Sequence, residues 1–401
     1  MKRLLGFFMA LVLTFSLTAT LAACNNDKNG EQNKAFEVKY ELSDDGKYYT
    51  LTSFTVSDEA QTAIGNGDYK KLAELFNTAK EDGQADFTKD TVKEFTVKDK
   101  IGDIPVTKIS SNALSALSFI EKITVPDSVE EIGSGAFSEL TALKEITLPF
   151  VGQKVGAVNS NVNFGYIFGT VEATGLTACA QKYNDGTNEA VTYYIPSTLT
   201  TVTITGGNKG NEVEKWVVKD EDGNLFEAKE GDEGAYKIIV SENAEYSVPA
   251  YAFYACTTLE KVTLSGELDE LQTNTFNGCT SLKEVSFKTE KIASEAFSGC
   301  TAIIDIDLDG VKTIGEKAFN GCTALGKSSS VKIHELDLST VESIEAYAFT
   351  GCTALVKVTL KNGVTLKDCA FSGCTSLKDV IGKDSAVIAG NPFHGCDKLD
   401  K

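Results

Sequence analysis

Ala348-Phe349-Thr350-Gly351-Cys352-Thr353-Ala354-Leu355-Val356-Lys357-Val358-Thr359-Leu360 is one copy of a unit that runs through most of this chain. The copy before it contains Ala318-Phe319-Asn320-Gly321-Cys322-Thr323-Ala324-Leu325, and the copy after it Ala370-Phe371-Ser372-Gly373-Cys374-Thr375-Ser376-Leu377. Aligned on the phenylalanine, copies fall at Phe137, Phe253, Phe276, Phe297, Phe319, Phe349, Phe371 and Phe393, with Leu114 in the same slot earlier. The regular gaps run from 21 residues (276→297) to 23 (114→137 and 253→276). A unit this small cannot bury its apolar face alone and gains a core only by stacking on its neighbours, so the period predicts a solenoid.

Within the unit, Leu355-x-x-Val358-x-Leu360 has the strand signature of leucine-rich repeats. The same signature appears in Leu143-x-x-Ile146-x-Leu148, Leu259-x-x-Val262-x-Leu264, Leu282-x-x-Val285-x-Phe287 and Ile303-x-x-Ile306-x-Leu308. Side chains alternate faces along a strand, so the apolar members point inward. The outward pairs are then Lys122/Thr124, Glu145/Thr147, Lys261/Thr263, Glu284/Ser286, Asp305/Asp307 and Lys357/Thr359. Opposite charges on neighbouring coils, such as Lys261 and Glu284, can pair across strands. No aromatic stripe lies on this face. A second short strand is expected before each phenylalanine, as in Val341-Glu-Ser-Ile344 and Val311-Lys-Thr-Ile314. The phenylalanines should stack at about 4.8 Å per coil as an aromatic spine.

Gly278, Gly299, Gly321, Gly351, Gly373 and Gly395 share a slot that suggests a turn with positive φ. Ala116, Glu139 and Ala255 fill it elsewhere, so either the turn tolerates L-residues or those coils bend differently. Cys256, Cys279, Cys300, Cys322, Cys352, Cys374 and Cys396 also share one slot. Equivalent side chains in stacked coils are parallel and about 4.8 Å apart at Cβ, where a disulfide wants about 3.8 Å. The expectation is a ladder of buried, reduced thiols acting as small hydrophobes. No C-x-x-C pair or adjacent histidine suggests zinc.

The complete pattern A-F-x-G-C-T-x-L-x-x-V-x-L resembles the BspA-like class of leucine-rich repeats of bacterial surface proteins, over about two thirds of the chain. The resemblance implies a β-rich, right-handed solenoid of coils about 22–23 residues long, with extracellular exposure. It also implies adhesion to, or recognition of, host or neighbouring-cell proteins. Fold transfers from such a class better than partner does.

The chain opens with Lys2 and Arg3 before the apolar stretch 4–20. Leu21-Ala22-Ala23-Cys24 follows and resembles a lipobox, which implies a signal peptide over 1–23 and a lipid anchor on Cys24. A plain signal peptide or a short membrane helix are the other readings, although the stretch is short for a span. Residues 24–35 are polar and read as a flexible tether. Residues 36–100 read as a small α+β N-terminal cap. Phe36–Tyr40 and Tyr48–Leu51 form a hairpin around Asp44-Asp45-Gly46, and a helical insertion falls near Asp68–Lys80. The solenoid then runs over 101–401, with an irregular insertion at about 150–247. No separate C-terminal cap is visible after Leu399, which leaves the last coil covered by its own charges or open to association.

Loss of 1–23 takes the net charge from −19 to −21, because Lys2 and Arg3 are its only charged side chains. That balance argues against nucleic acid and permits basic partners. The irregular stretch offers Phe164, Tyr166, Phe168 and the lone Trp216 as ligand candidates on a rigid scaffold. The favoured reading of the first three is that they plug the core of an enlarged coil. Asp220, Glu221, Asp222 and Asn224 form an acidic loop without the calcium-motif spacing. Catalysis finds little support. His394 occupies a variable slot, His334 lacks a neighbouring nucleophile, Cys369 sits in another variable slot, and no nucleophile-elbow or phosphate-loop motif occurs. The expectation is a non-enzymatic surface protein without cofactor or metal. It would be held to the membrane through Cys24 and would bind a protein partner, most simply in adhesion. An envelope scaffold recruiting another bacterial protein, or a ligand-capturing lipoprotein, are the alternatives.

Overall fold

A computed structural model of the chain describes residues 18–26, 32–77, 93–115, 117–183, 189–206, 211–219, 225–227, 236–242, 248–327 and 335–399. For 18–26, 32–36, 69, 73, 76–77, 211–219, 225–227 and 236–242 it describes the backbone alone.

The repeats stack as short parallel strands in two ladders. One ladder joins Glu94–Thr96, Lys122–Thr124, Glu145–Leu148, Thr201–Ile204, Lys261–Leu268 and Glu284–Thr289, and then resumes as Glu335–Leu338, Lys357–Leu360 and Asp379–Ile381. The second ladder uses the two-residue strands before each phenylalanine, from Lys291–Ile292 through Thr313–Ile314, Ser343–Ile344 and Thr365–Leu366 to Val387–Ile388. Alternation places Ile123, Ile146, Val202, Val262 and Val358 inward and fully buried.

The phenylalanine spine runs through the middle. From Phe253 to Phe393 the rings stack with centroids 5.0–5.6 Å apart and planes within 14°. Residues 150–204 are one enlarged coil whose last strand, Thr201–Ile204, pairs between Glu145–Leu148 and Lys261–Leu268. Its extra length carries a single-turn 3-10 helix, Phe164–Ile167, and an antiparallel hairpin, Leu176–Lys182 with Ala190–Pro196. Beyond it, Asn211–Lys219, Leu225–Glu227 and Tyr236–Glu242 form a separate three-stranded sheet.

The αL slot resolves the choice left open by the glycines. Glu139 and Ala255 hold φ of 63° and 56°, against 72–76° for Gly278, Gly299, Gly321 and Gly351, so the turn keeps its shape with L-residues. Ala116 lies outside the described residues. A second left-handed slot, two residues before the phenylalanine, was not anticipated. Tyr251, Asn274, Glu295, Lys317, Tyr347 and Cys369 occupy it with φ of 55–62°.

At the N-terminal end, Gln32–Leu42 pairs antiparallel with Tyr49–Val56, and the latter continues parallel to Ile104–Ile109 and so into the array. The turn falls at Ser43–Tyr48, where Asp45 accepts from the Ser43 hydroxyl. The helix near 68–80 is Tyr69–Asn77, with Leu72 and Leu75 buried. A further helix, Asp58–Gly65, precedes it. The Ser57 side chain caps it by accepting the Ala60 N–H, and Ala60 and Ala63 are its buried face. Two alanines made its apolar stripe too weak to read from the sequence. The backbone of Thr18–Asn26 pairs with Gln32–Leu42, while 1–17 and 27–31 lie outside the described residues.

Candidate functional site

The outward residues of the main ladder form two columns. In register, the first reads Glu94, Lys122, Glu145, Thr201, Lys261, Glu284, then Glu335, Lys357, Asp379. The second reads Thr96, Thr124, Thr147, Thr203, Thr263, Ser286, then Asp337, Thr359, Ile381. The first column nearly alternates in sign, and its lysines bridge coils: Lys261 to Glu284 at 2.7 Å, Lys357 to Glu335 at 2.7 Å, Lys122 to Glu145 at 3.8 Å. Similar pairs line the flanks, as in Lys144–Glu121 at 2.6 Å, Lys283–Glu260 at 2.8 Å and Lys361–Glu342 at 2.8 Å. Exposed pairs of this kind contribute roughly 0.2–1 kcal/mol each.

Both columns turn acidic at one level. The coil 303–308 places Asp305 between Glu284 and Glu335, and Asp307 next to Asp337. Carboxylates gathered in one groove repel, where the neighbouring levels gain from Lys–Glu contacts. The strand expected at Ile303-x-x-Ile306-x-Leu308 does not form. Ile303, Ile306 and Leu308 still point inward and are buried, but the Ile306 N–H bonds the Asp305 carboxylate at 3.1 Å instead of a neighbouring strand. Asp307 and Asp337 likewise accept the N–H of Asp309 (3.0 Å) and Ser339 (2.9 Å).

Only the strand face opens. The second ladder crosses the same level without interruption, and Phe297, Phe319 and Phe349 remain stacked at 5.1 and 5.0 Å. The result is a groove of about 530 Å³ whose lining, among the described residues, includes Glu284, Asp305, Asp307, Asp309, Glu335 and Asp337 and neither lysine nor arginine. Lys357 and the Thr359 hydroxyl hold the Glu335 carboxyl below its usual range, so it stays charged. An open, polar cleft with concentrated negative charge can receive cationic side chains. Among the described residues no group of three or more His, Cys, Asp or Glu is arranged to hold a metal ion.

The residues singled out from the sequence sit elsewhere. Phe164 and Phe168 are buried in the spine, bridging Phe137 to Phe253: Phe137–Phe168 6.3 Å, Phe168–Phe164 5.3 Å, Phe164–Phe253 5.1 Å. Both are therefore inaccessible to a ligand in this fold. Tyr166 packs partly buried beside them. Trp216 belongs to the strand Asn211–Lys219, and its side chain lies outside the described residues, as do the acidic loop 220–224 and His334. His394 is exposed, and Cys369 is half-buried. Cys24 falls in the strand Thr18–Asn26 opposite Lys34, with its side chain outside the described residues. No described helix is long and apolar enough to cross a membrane. Asp305 and Asp307 are legible as outward residues in the sequence, whereas Glu335 and Asp337 are not, because the extra residues at 326–334 displace them from the 22-residue register. The missing signal was the Lys–Glu alternation, which lapses to a neutral residue at Thr201 and gives way to like charge at this level.

A family model described as BspA type leucine-rich repeat region matches the chain in six copies, over residues 50–161, 246–332 and 327–401. No curated protein matches it. Among solved structures, a leucine-rich repeat protein of T. pallidum is 19% identical, with 58% of this chain and 91% of that one covered and a TM-score of 0.36. A leucine-rich cell surface protein of Faecalibacterium prausnitzii is 16% identical, with 90% and 79% covered and a TM-score of 0.30. A leucine-rich repeat protein of Bacteroides ovatus is 16% identical, with 90% and 79% covered and a TM-score of 0.33.

Proposed function

The chain belongs to the BspA-type leucine-rich repeat family, and from that membership we propose that it is a non-enzymatic surface protein that binds a basic segment of a protein partner in the acidic groove. The observation that carries this reading is the break at Asp305 and Asp307. A stack with Lys–Glu pairs on both sides, Lys261–Glu284 and Lys357–Glu335, gives up the level between them at a groove lined by six carboxylates. A fully paired ladder would be more stable, so the acidic level is better explained by what it receives. Lysine and arginine side chains entering the groove would meet its carboxylates, and approach to a chain of net charge −19 would be steered by the same field.

The finer reading is adhesion to host or neighbouring-cell proteins from a lipid anchor at Cys24. Support comes from Lys2, Arg3, the apolar stretch and Leu21-Ala22-Ala23-Cys24. Cleavage there would take residues 18–23 out of the first strand and leave the stretch 37–41 of Gln32–Leu42 without its outer neighbour.

The test uses residues 25–401 against an array of matrix and bacterial surface proteins spanning acidic to basic. Saturable binding to basic members, weakened at least ~10-fold by Asp305→Asn/Asp307→Asn/Asp337→Asn, is the expected result, equal to about 1.4 kcal/mol or more. Binding indifferent to those three residues would place the contact on another face. No saturable binding at micromolar concentration would remove the adhesion reading.

A further inference from the structure

The cysteine ladder has a first rung unlike the others. Cys279, Cys300, Cys322, Cys352, Cys374 and Cys396 each donate Sγ–H to a phenylalanine carbonyl one coil back, at 3.0–3.3 Å. Before Cys256 the regular coil is replaced by the enlarged one. Its sulfur meets Cys179 Sγ at 3.8 Å and Gln181 Nε2 at 3.4 Å. Cys179 and Gln181 lie two residues apart on the strand Leu176–Lys182, so both side chains leave the same face, and both are buried. Cys179 Sγ is also 3.1 Å from the Ala255 carbonyl and 3.6 Å from that of Tyr254. The inserted hairpin thus lies directly over the turn that carries Cys256.

Rungs within the ladder are translated copies with parallel side chains, a geometry that holds their Cβ atoms too far apart for a bond. Cys179 and Cys256 come from different elements, and their side chains converge. Closing their contact from 3.8 Å to a bond of about 2.05 Å moves each sulfur by less than about 1 Å. We propose that Cys179 and Cys256 form a disulfide under oxidising conditions, fastening the inserted hairpin to the first regular coil after it, while the ladder thiols stay reduced. The two are 77 residues apart, so the bond would close the chain around the whole excursion from 205 to 247 at its root.

The chemistry is thiol–disulfide exchange with a low-molecular-weight disulfide such as oxidised glutathione. One cysteine thiolate attacks the glutathione S–S bond, giving a mixed disulfide and releasing one glutathione thiolate. The other cysteine thiolate attacks the protein sulfur of that mixed disulfide and expels the second glutathione thiolate. The two protein thiols lose two electrons and two protons, and oxidised glutathione gains them. Burial keeps Cys256 protonated once the chain has folded, so the bond forms during folding and then resists reduction.

The full chain, solubilised in detergent, is unfolded and refolded in a glutathione redox buffer. The folded fraction is alkylated under denaturing conditions and digested with trypsin. Cys179 and Cys256 fall alone in the peptides 155–182 and 238–261, and Cys279 in 262–283. The expected result is 155–182 joined to 238–261, lighter by about 2 Da than the two free peptides and released by reductant, with Cys279 alkylated. Cys179→Ser should abolish the joined species without creating another. Both cysteines recovered as alkylated thiols from folded protein, or Cys256 joined to Cys279, would overturn the proposal. The outcome does not depend on what the acidic groove binds.

Discussion

The thiol of Cys279 donates to the carbonyl oxygen of Phe253, 3.0 Å away and one coil back, although that oxygen already accepts the N–H of Cys256. The same three-way contact recurs at Phe276, Phe297, Phe319, Phe349 and Phe371. Each phenylalanine therefore supplies its ring to the spine and the second lone pair of its carbonyl to the next coil. A small apolar side chain would fill the slot but leave that lone pair unused. Replacing Cys322 by Ala should cost about 1–2 kcal/mol, read as a lower urea midpoint.

The same burial makes the array sensitive to alkali. Burial pushes the Cys322 thiol from an ordinary 9.0 up to about 12, and raises Cys279, Cys300 and Cys352 in the same direction. Above pH 9 the unfolded chain releases protons that the folded chain retains. Stability is therefore full below pH 9 and falls as pH rises from 9 towards 12, by up to about 1.4 kcal/mol per pH unit for each rung. Urea midpoints between pH 8 and 10.5 should show this decline, with a shallower slope in Cys322→Ala. A flat profile would mean that the thiols are not buried as described.

Phe168 tests the enlarged coil. As a spine member with 1% exposure, its change to Ala should destabilise by about 3–5 kcal/mol, as Phe319→Ala should. A surface aromatic reserved for a ligand would change stability by under about 0.5 kcal/mol. Urea denaturation of the two variants side by side separates these cases.

Gly351→Ala should be mild. Its φ of 73° is left-handed, but an added Cβ meets Gly321 no closer than 3.9 Å, and Ala255 already holds the equivalent place. A cost of about 1–2 kcal/mol is expected. At Gly133 an added Cβ would lie 2.3 Å from the Ser111 backbone nitrogen, so Gly133→Ala must move the chain and should cost more.

The acidic level can be repaired by design. Asp305→Lys would restore the alternation between Glu284 and Glu335, and Asp307→Thr would continue the threonine column. Each restored pair should add roughly 0.2–1 kcal/mol, and the Ile306 amide should gain hydrogen-exchange protection as its strand closes. Unchanged stability and exchange would show that charge is not what holds the sheet apart here.

How far the sequence spoke depended on the period. Phe319, Phe349 and Phe371 could be placed because each repeats its neighbour's position, and the thiols of Cys322, Cys352 and Cys374 followed from the same translation. The period fails at 150–247, and there the path of the Phe164–Phe168 bridge from Phe137 to Phe253 needed coordinates, since neither ring lies at the repeat distance. Asp305 and Asp307 were visible as outward residues, yet the break was not. It arises from neighbours on both sides, and Glu335 is shifted out of register by the extra residues before it in the sequence. The αL conformation at Lys317 and Tyr347 carried no signal, because neither residue type prefers it.

The most direct test of the account is the affinity of residues 25–401 for an extended Lys/Arg-rich peptide, by titration calorimetry at low and high salt, beside the Asp305→Lys/Asp307→Thr variant. The account predicts saturable binding that weakens as salt rises and is lost in the variant, while the variant is at least as stable as the parent. Equal binding by parent and variant would contradict it, because the break in the strand face would then have no part in recognition.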